Sequence, residues 1–199
     1  MKQITNKLNA RFLKIALLSA AVVVAFTLPS CNNSKPEDTK EVAEEHNDAK
    51  FSNAKEDDAK FLVNAAEINL EEIELGKLAQ TRGSVNHVKE LGEMMVTDHT
   101  NALSDLKALA AKKQVTIPTT LTDKGMSANK KLMDTKVPKF NKEYADMMVS
   151  GHKDAVAIFE KASTNAQDAD IRNWATSMLP VLRKHLDNAI NCQKECEKM

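Results

Sequence analysis

The chain has 199 residues, with 28 Lys and Arg against 28 Asp and Glu. Four of the bases, Lys2, Lys7, Arg11 and Lys14, fall in residues 1–30, which hold no acid, so the rest carries 24 bases against 28 acids. That mildly acidic remainder has no electrostatic footprint for nucleic acid; five Gly, five Pro and 4% aromatic residues argue against a sandwich or barrel and for helices.

Residues 1–30 read as an export signal. A basic region ends at Lys14, and an apolar run follows from Ile15 to Phe26. The run is too short to span a bilayer, which takes about 20 residues. The boundary Leu28-Pro29-Ser30-Cys31 resembles the lipobox of bacterial lipoproteins. That resemblance implies diacylation of the Cys31 thiol, cleavage before it and acylation of the new amine. The implied partner is a membrane, and the implied location is the cell envelope. Asn32 after the cysteine, rather than Asp, favours the outer membrane by analogy with envelope sorting. The rival reading is a signal anchor with an incidental cysteine.

Residues 32–56 are charged and almost free of large apolar side chains, which predicts a flexible tether with room for transient helix. His46 within it reads as a solvated residue. From Asp57 onward the apolar residues recur at helical spacing, and no segment alternates like a strand. A first long helix over 57–82 carries the stripe Phe61, Ala65, Ile68, Glu72, Leu75 and Ala79; Gly83 ends it and Ser84 is placed to cap the next. A second over 85–113 carries Val88, Gly92, Met95, His99, Ala102, Leu106 and Leu109. Residues 114–137 form a long connection with a short helical piece at 122–134. Pro138 suits the first turn of a third helix over 138–163, with Tyr144, Met148, His152, Ala155, Phe159 and Ala162. Asp168 or Asp170 can cap a fourth over 169–195, with Ile171, Ala175, Met178, Leu182, His185 and Ala189. Pro180 lies inside that helix and predicts a kink near Thr176. The domain over 57–199 is therefore expected to be an all-α four-helix bundle, its middle connection long enough to return along the bundle as in ferritin-like folds.

One ionisable side chain interrupts each stripe: Glu72, His99, His152 and His185. At 1.5 Å rise per residue, Glu72 and His99 lie roughly 16 and 24 Å from the first tight loop, and His152 and His185 roughly 21 and 28 Å from the second. All four thus fall in the middle of a bundle about 40 Å long. Three imidazoles and a carboxylate suit zinc, iron or copper. Asp98 beside His99 is placed to bind metal or to orient a neighbouring imidazole. Met95 and Met148 each precede a core His by four residues, where a thioether would favour copper(I); the plain alternative is gap-filling. Two further readings of the four stand beside the metal: a closed polar network that fixes helix register, and an unconnected, partly exposed set. Cys192 and Cys196 share a helix face. A disulfide between them would require the helix end to fray; soft-metal binding and pairing with another chain are the other readings.

The runs FLVNAAEINLEEIELGKLA (61–79), MVTDHTNALSDLKALAAKKQV (95–115), MMVSGHKDAVAIFEKA (147–162) and LPVLRKHLDNA (179–189) resemble, in order, the ferritin-like bacterial envelope family known as domain of unknown function 4142. The resemblance implies a four-helix ferritin-like bundle and directs attention to Glu72, Asp98, His99, His152 and His185. It implies no activity. Di-iron bundles use Glu-x-x-His pairs, whereas Val96, Val149 and Leu182 precede the three histidines by three residues. Ferroxidase chemistry is therefore not carried over. Two functions remain open from the sequence: a lipid-tethered metal holder for storage, buffering or stress protection, and a structural or interaction module of the envelope. No nucleophile elbow, phosphate loop or zinc-protease motif argues for an enzyme.

Overall fold

The computed structural model describes residues 37–198. The signal segment and Cys31 lie outside the described residues. Six helices follow in order: α1 (Thr39–Asp48), α2 (Ala54–Arg82), α3 (Asn86–Lys113), α4 (Asp123–Asp134), α5 (Val137–Asn165) and α6 (Ala169–Cys196), with no strand among the described residues. The four long helices predicted from periodicity are α2, α3, α5 and α6, with ends within a few residues of expectation. Each exists because its apolar residues return every three to four positions and are buried against the others. No described helix is long and apolar enough to cross a membrane.

The caps differ in detail from expectation. Asp168 caps α6 by accepting from the Asp170 and Ile171 N–H groups, and Pro138 sits in the first turn of α5. Gly83 ends α2, but α3 starts after Val85 without a side-chain cap. Ser84 instead accepts from Asn141 Nδ2 and donates its backbone N–H to Asn141 Oδ1, tying the α2–α3 loop to the start of α5. α6 continues through Pro180, which faces solvent.

α2 packs along α3, and α5 along α6; α2 also meets α5, and α3 meets α6. At one end, the Asp58 carboxylate accepts from the backbone N–H groups of Gln167 and Asp168 at 2.9 and 2.8 Å, and Lys113 pairs with Asp168 and Asp170. At the other end, Arg82 donates to the carbonyls of Leu132, Met133 and Thr135. The connection from α3 to α5 therefore leaves one end and arrives at the other, and α5 runs parallel to α3. Gln114 starts this path in the left-handed region, φ 57°, and its N–H closes α3 on Ala110 and Ala111.

The segment expected as a tether is partly folded. α1 forms where flexible chain was predicted, because a few small contacts suffice to seat it. Ala43 and Asn47 are buried. Asn47 makes a reciprocal pair with Thr116, donating to its carbonyl and accepting from its N–H, both at 2.8 Å. Lys40 reaches buried Glu67 at 2.9 Å, and Glu67 also accepts from Thr122 Oγ1. His46 is exposed, as expected, but bonds Thr116 Oγ1. Composition gave transient helix at most, and not its docking, because the anchoring of α1 is polar.

The core is two apolar clusters separated by a polar layer. One holds Phe61, Leu62, Leu106, Phe159 and Ile171; there Phe61, Phe159 and Trp174 pack their rings with centroids 5.1–5.9 Å apart. Such aromatic pairs add about 0.5–1.5 kcal/mol each beyond burial. The other holds Leu75, Met95, Phe140, Tyr144 and Met148. Where the two clusters meet, every long helix buries a polar residue: Asn69 and Glu72 on α2, His99 on α3, His152 on α5 and His185 on α6.

Candidate metal centre

A buried polar group costs free energy unless it is hydrogen-bonded, so every polar atom in this layer needs a partner. The three imidazoles are 1–2% exposed. Their ring centroids lie 5.2–5.6 Å apart pairwise, forming a triangle. Each ring spends one nitrogen on an acceptor. His152 Nδ1 donates to the Met148 carbonyl at 2.9 Å, one helical turn back. His185 Nε2 donates to Asp98 Oδ2 at 2.9 Å, from α6 to α3. His99 Nδ1 lies 3.0 Å from Asn69 Oδ1, and Asn69 Nδ2 donates to the Ala65 carbonyl. The amide orientation leaves Asn69 Oδ1 as an acceptor, so His99 Nδ1 carries the proton.

These bonds fix the tautomers. The lone pairs then fall on His99 Nε2, His152 Nε2 and His185 Nδ1. Those three atoms are buried and have no hydrogen-bond partner. One nitrogen from each ring lies within 4.8 Å of the others. Burial, reinforced by the neighbouring rings, holds His99 well below the ordinary imidazole range. Burial and His185 bring His152 down to about 4, although the Met148 carbonyl opposes this. Burial also lowers His185, against the pull of Asp98. The triad is therefore neutral at pH 7, three acceptors with no donor between them.

Glu72 stands beside this cluster and is not a member of it. Its Oε1 is 3.7 Å from His152 Nδ1, too long for a hydrogen bond, and that nitrogen already serves Met148. The sequence placed Glu72 at the right height but not its carboxylate among the lone pairs. The carboxylate occupies space left by Gly151: a Cβ there would lie 3.1 Å from Glu72 Oε1. Burial, with Glu71 adding repulsion, pushes Glu72 well above the usual carboxylate range, so its closeness to neutral His152 is no ion pair. Glu72 Oε2 has no partner, nor has the buried Tyr144 hydroxyl, which burial and the Glu72 charge push upward.

Asp98 is placed as an acceptor behind His185 rather than His99, its own neighbour in sequence. Met95 and Met148 are fully buried in the apolar cluster, and Met148 serves His152 through its backbone carbonyl. Asn69 was missed by the sequence reading. Its signal was present: it lies four residues after Ala65 and three before Glu72, on the buried face of α2. Cys192 and Cys196 are buried free thiols. α6 runs unfrayed through Cys196 and holds the two side chains one turn apart, the geometry already set against a disulfide by their spacing.

The sequence profile described as Domain of unknown function (DUF4142) matches residues 41–191. The chain belongs to the DUF4142 family. The match begins inside α1, so the docked first helix is part of the DUF4142 domain, and it takes in all three core histidines, Asn69, Glu72 and Asp98. No curated relative and no solved structure matches the chain.

Proposed function

We propose that this DUF4142 protein is a lipid-anchored envelope protein whose ferritin-like four-helix bundle holds one transition-metal ion on His99, His152 and His185, for storage, buffering or stress protection. One observation carries the metal reading: three buried histidines each bring a ring nitrogen within 4.8 Å of the others, and each keeps one buried nitrogen with no hydrogen-bond partner. A closed polar network would need a proton between the rings, and each ring's proton is spent outward. A cation satisfies all three nitrogens at once. Neutral imidazoles in fixed tautomers, each held by an outer acceptor, match the arrangement found behind metal-bound histidines. Zinc and copper(II) accept three imidazoles with an open position. Iron fits less well, since no carboxylate joins the cluster. The ferritin-like reading draws on the parallel course of α3 and α5 and the returning connection between them. The anchor at Cys31 and the envelope location draw on the lipobox-like boundary.

The test is metal titration of the chelator-stripped protein, read by metal content and melting temperature. An ion at 100 times its dissociation constant stabilises by about 2.7 kcal/mol. Zinc or copper(II) is expected to raise the melting temperature of the wild type at one equivalent, and His99→Ala with His152→Ala to abolish that rise. An unchanged titration in the double variant would defeat the metal reading and leave the polar layer a structural one.

A further inference from the structure

A second cluster of donors lies near the other apolar end, where α3 begins and α6 ends. His87 stands in the first turn of α3, and Cys192 and Cys196 in the last two turns of α6. One donor atom from each lies within 4.8 Å of the other two, and His87 Nε2 is 3.5 Å from Cys196 Sγ. Both thiols are buried, and the His87 ring is half-buried. None of the three takes part in the histidine triad.

We infer that His87, Cys192 and Cys196 form a second metal site, for a thiophilic d10 cation, copper(I) ahead of zinc(II). Two thiolates select soft ions. Three converging donors complete a trigonal set, which copper(I) accepts and which leaves zinc(II) one ligand short of its usual four. A cavity of about 340 Å³ opens beside the cluster; His87 and Cys192 line it together with Met94, Glu90 and Glu195. Glu90 and Met94 thus add a carboxylate and a thioether to its lining, and Glu195 a carboxylate that pairs with Lys198. The helical spacing that keeps the thiols from pairing also keeps both sulfurs directed to one side of α6, toward His87.

Burial pushes the Cys192 thiol up to about 12 and raises Cys196 as well. The thiols are therefore protonated without metal. Binding replaces both S–H protons, which pass to solvent, and the bound copper(I) retains its oxidation state. Uptake at this site accordingly weakens as pH falls.

The experiment uses the full chain, reduced and stripped of metal, and adds copper(I) under anaerobic conditions against a chromophoric copper(I) chelator. One equivalent is expected to resist the chelator, X-ray absorption to show two sulfur neighbours, and bound copper to slow thiol alkylation at least tenfold. Cys196→Ser and, separately, His87→Ala are expected to lose that equivalent while their circular dichroism stays that of the wild type. His152→Ala is expected to keep it, which separates this site from the triad. Copper(I) with only nitrogen neighbours, or thiols alkylated at the same rate with and without copper, would overturn the inference even if a variant misfolds. One equivalent of zinc(II) held by both sulfurs in preference to copper(I) would overturn the choice of ion.

Discussion

Asp98, on α3, holds the proton of His185, on α6, at 2.9 Å, and so leaves the lone pair of that ring on the buried, unpartnered Nδ1. Asp98 is more than a third exposed on its far side. Its contribution to stability is therefore modest, while its contribution to ring orientation is not. Asp98→Asn is expected to lower metal affinity 10- to 100-fold, the range for outer partners of ligating histidines, with little change in the metal-free melting temperature. Competition with a chelator measures the first, and calorimetry the second.

Stability of the metal-free protein depends on pH with a definite sign. Each core histidine titrates lower in the folded chain than in the unfolded one, so the unfolded state binds more protons as acid is added. Their contribution is present above the unfolded value of 6.5 and is lost as pH falls toward the folded value, about 4 for His152. Glu72 acts oppositely. Its raised folded value makes its contribution largest below 4.5 and diminishing as pH rises. Urea denaturation is expected to show stability falling from pH 7 to 5, with a shallower fall in His152→Ala. In Glu72→Gln, the decline on the alkaline side is expected to flatten. A wild-type stability that rises between pH 7 and 5 would contradict the neutral triad.

Gly76 and Gly92 let α2 and α3 touch. A Cβ on Gly76 would lie 2.7 Å from the Gly92 carbonyl oxygen, and a Cβ on Gly92 2.7 Å from that of Gly76. Both obstacles are backbone, so the helices must part. Gly92→Ala is expected to destabilise by about 1–3 kcal/mol, the usual cost of overpacking, by chemical denaturation. It also moves α3 away from Asn69, so a weaker metal signal is expected with it.

Asn47 tests whether α1 belongs to the fold. Asn47→Ala leaves the Thr116 N–H and carbonyl without their partners, at a cost of about 1–3 kcal/mol. The expected sign is early proteolytic cleavage between α1 and α2, before the rest of the domain is cut. Cleavage rates equal to the wild type would mean that α1 is held by other contacts.

Much of this architecture was legible in local pattern. The four long helices follow from apolar residues returning every three to four positions, a property of each segment alone. The common height of Glu72, His99, His152 and His185 follows from a fixed rise per residue and two short loops. The docking of α1 escaped notice because Asn47 and Lys40 bind residues 69 and 27 positions away, and no local pattern encodes that.

Periodicity states which face a side chain occupies, and with the helical rise it states how far along the bundle. Those two facts sufficed to bring three histidines into one buried layer. They could not say which nitrogen of each ring would be free, since Asn69, the Met148 carbonyl and Asp98 set that, two of them from other helices. Nor could they exclude Glu72 from the cluster, because the space at Gly151 on a different helix receives its carboxylate. The pairing of His87 with Cys196, 109 residues apart, was likewise decided by packing. Faces and heights are properties of one helix; tautomers and ligand sets are properties of several, fixed only when the helices meet.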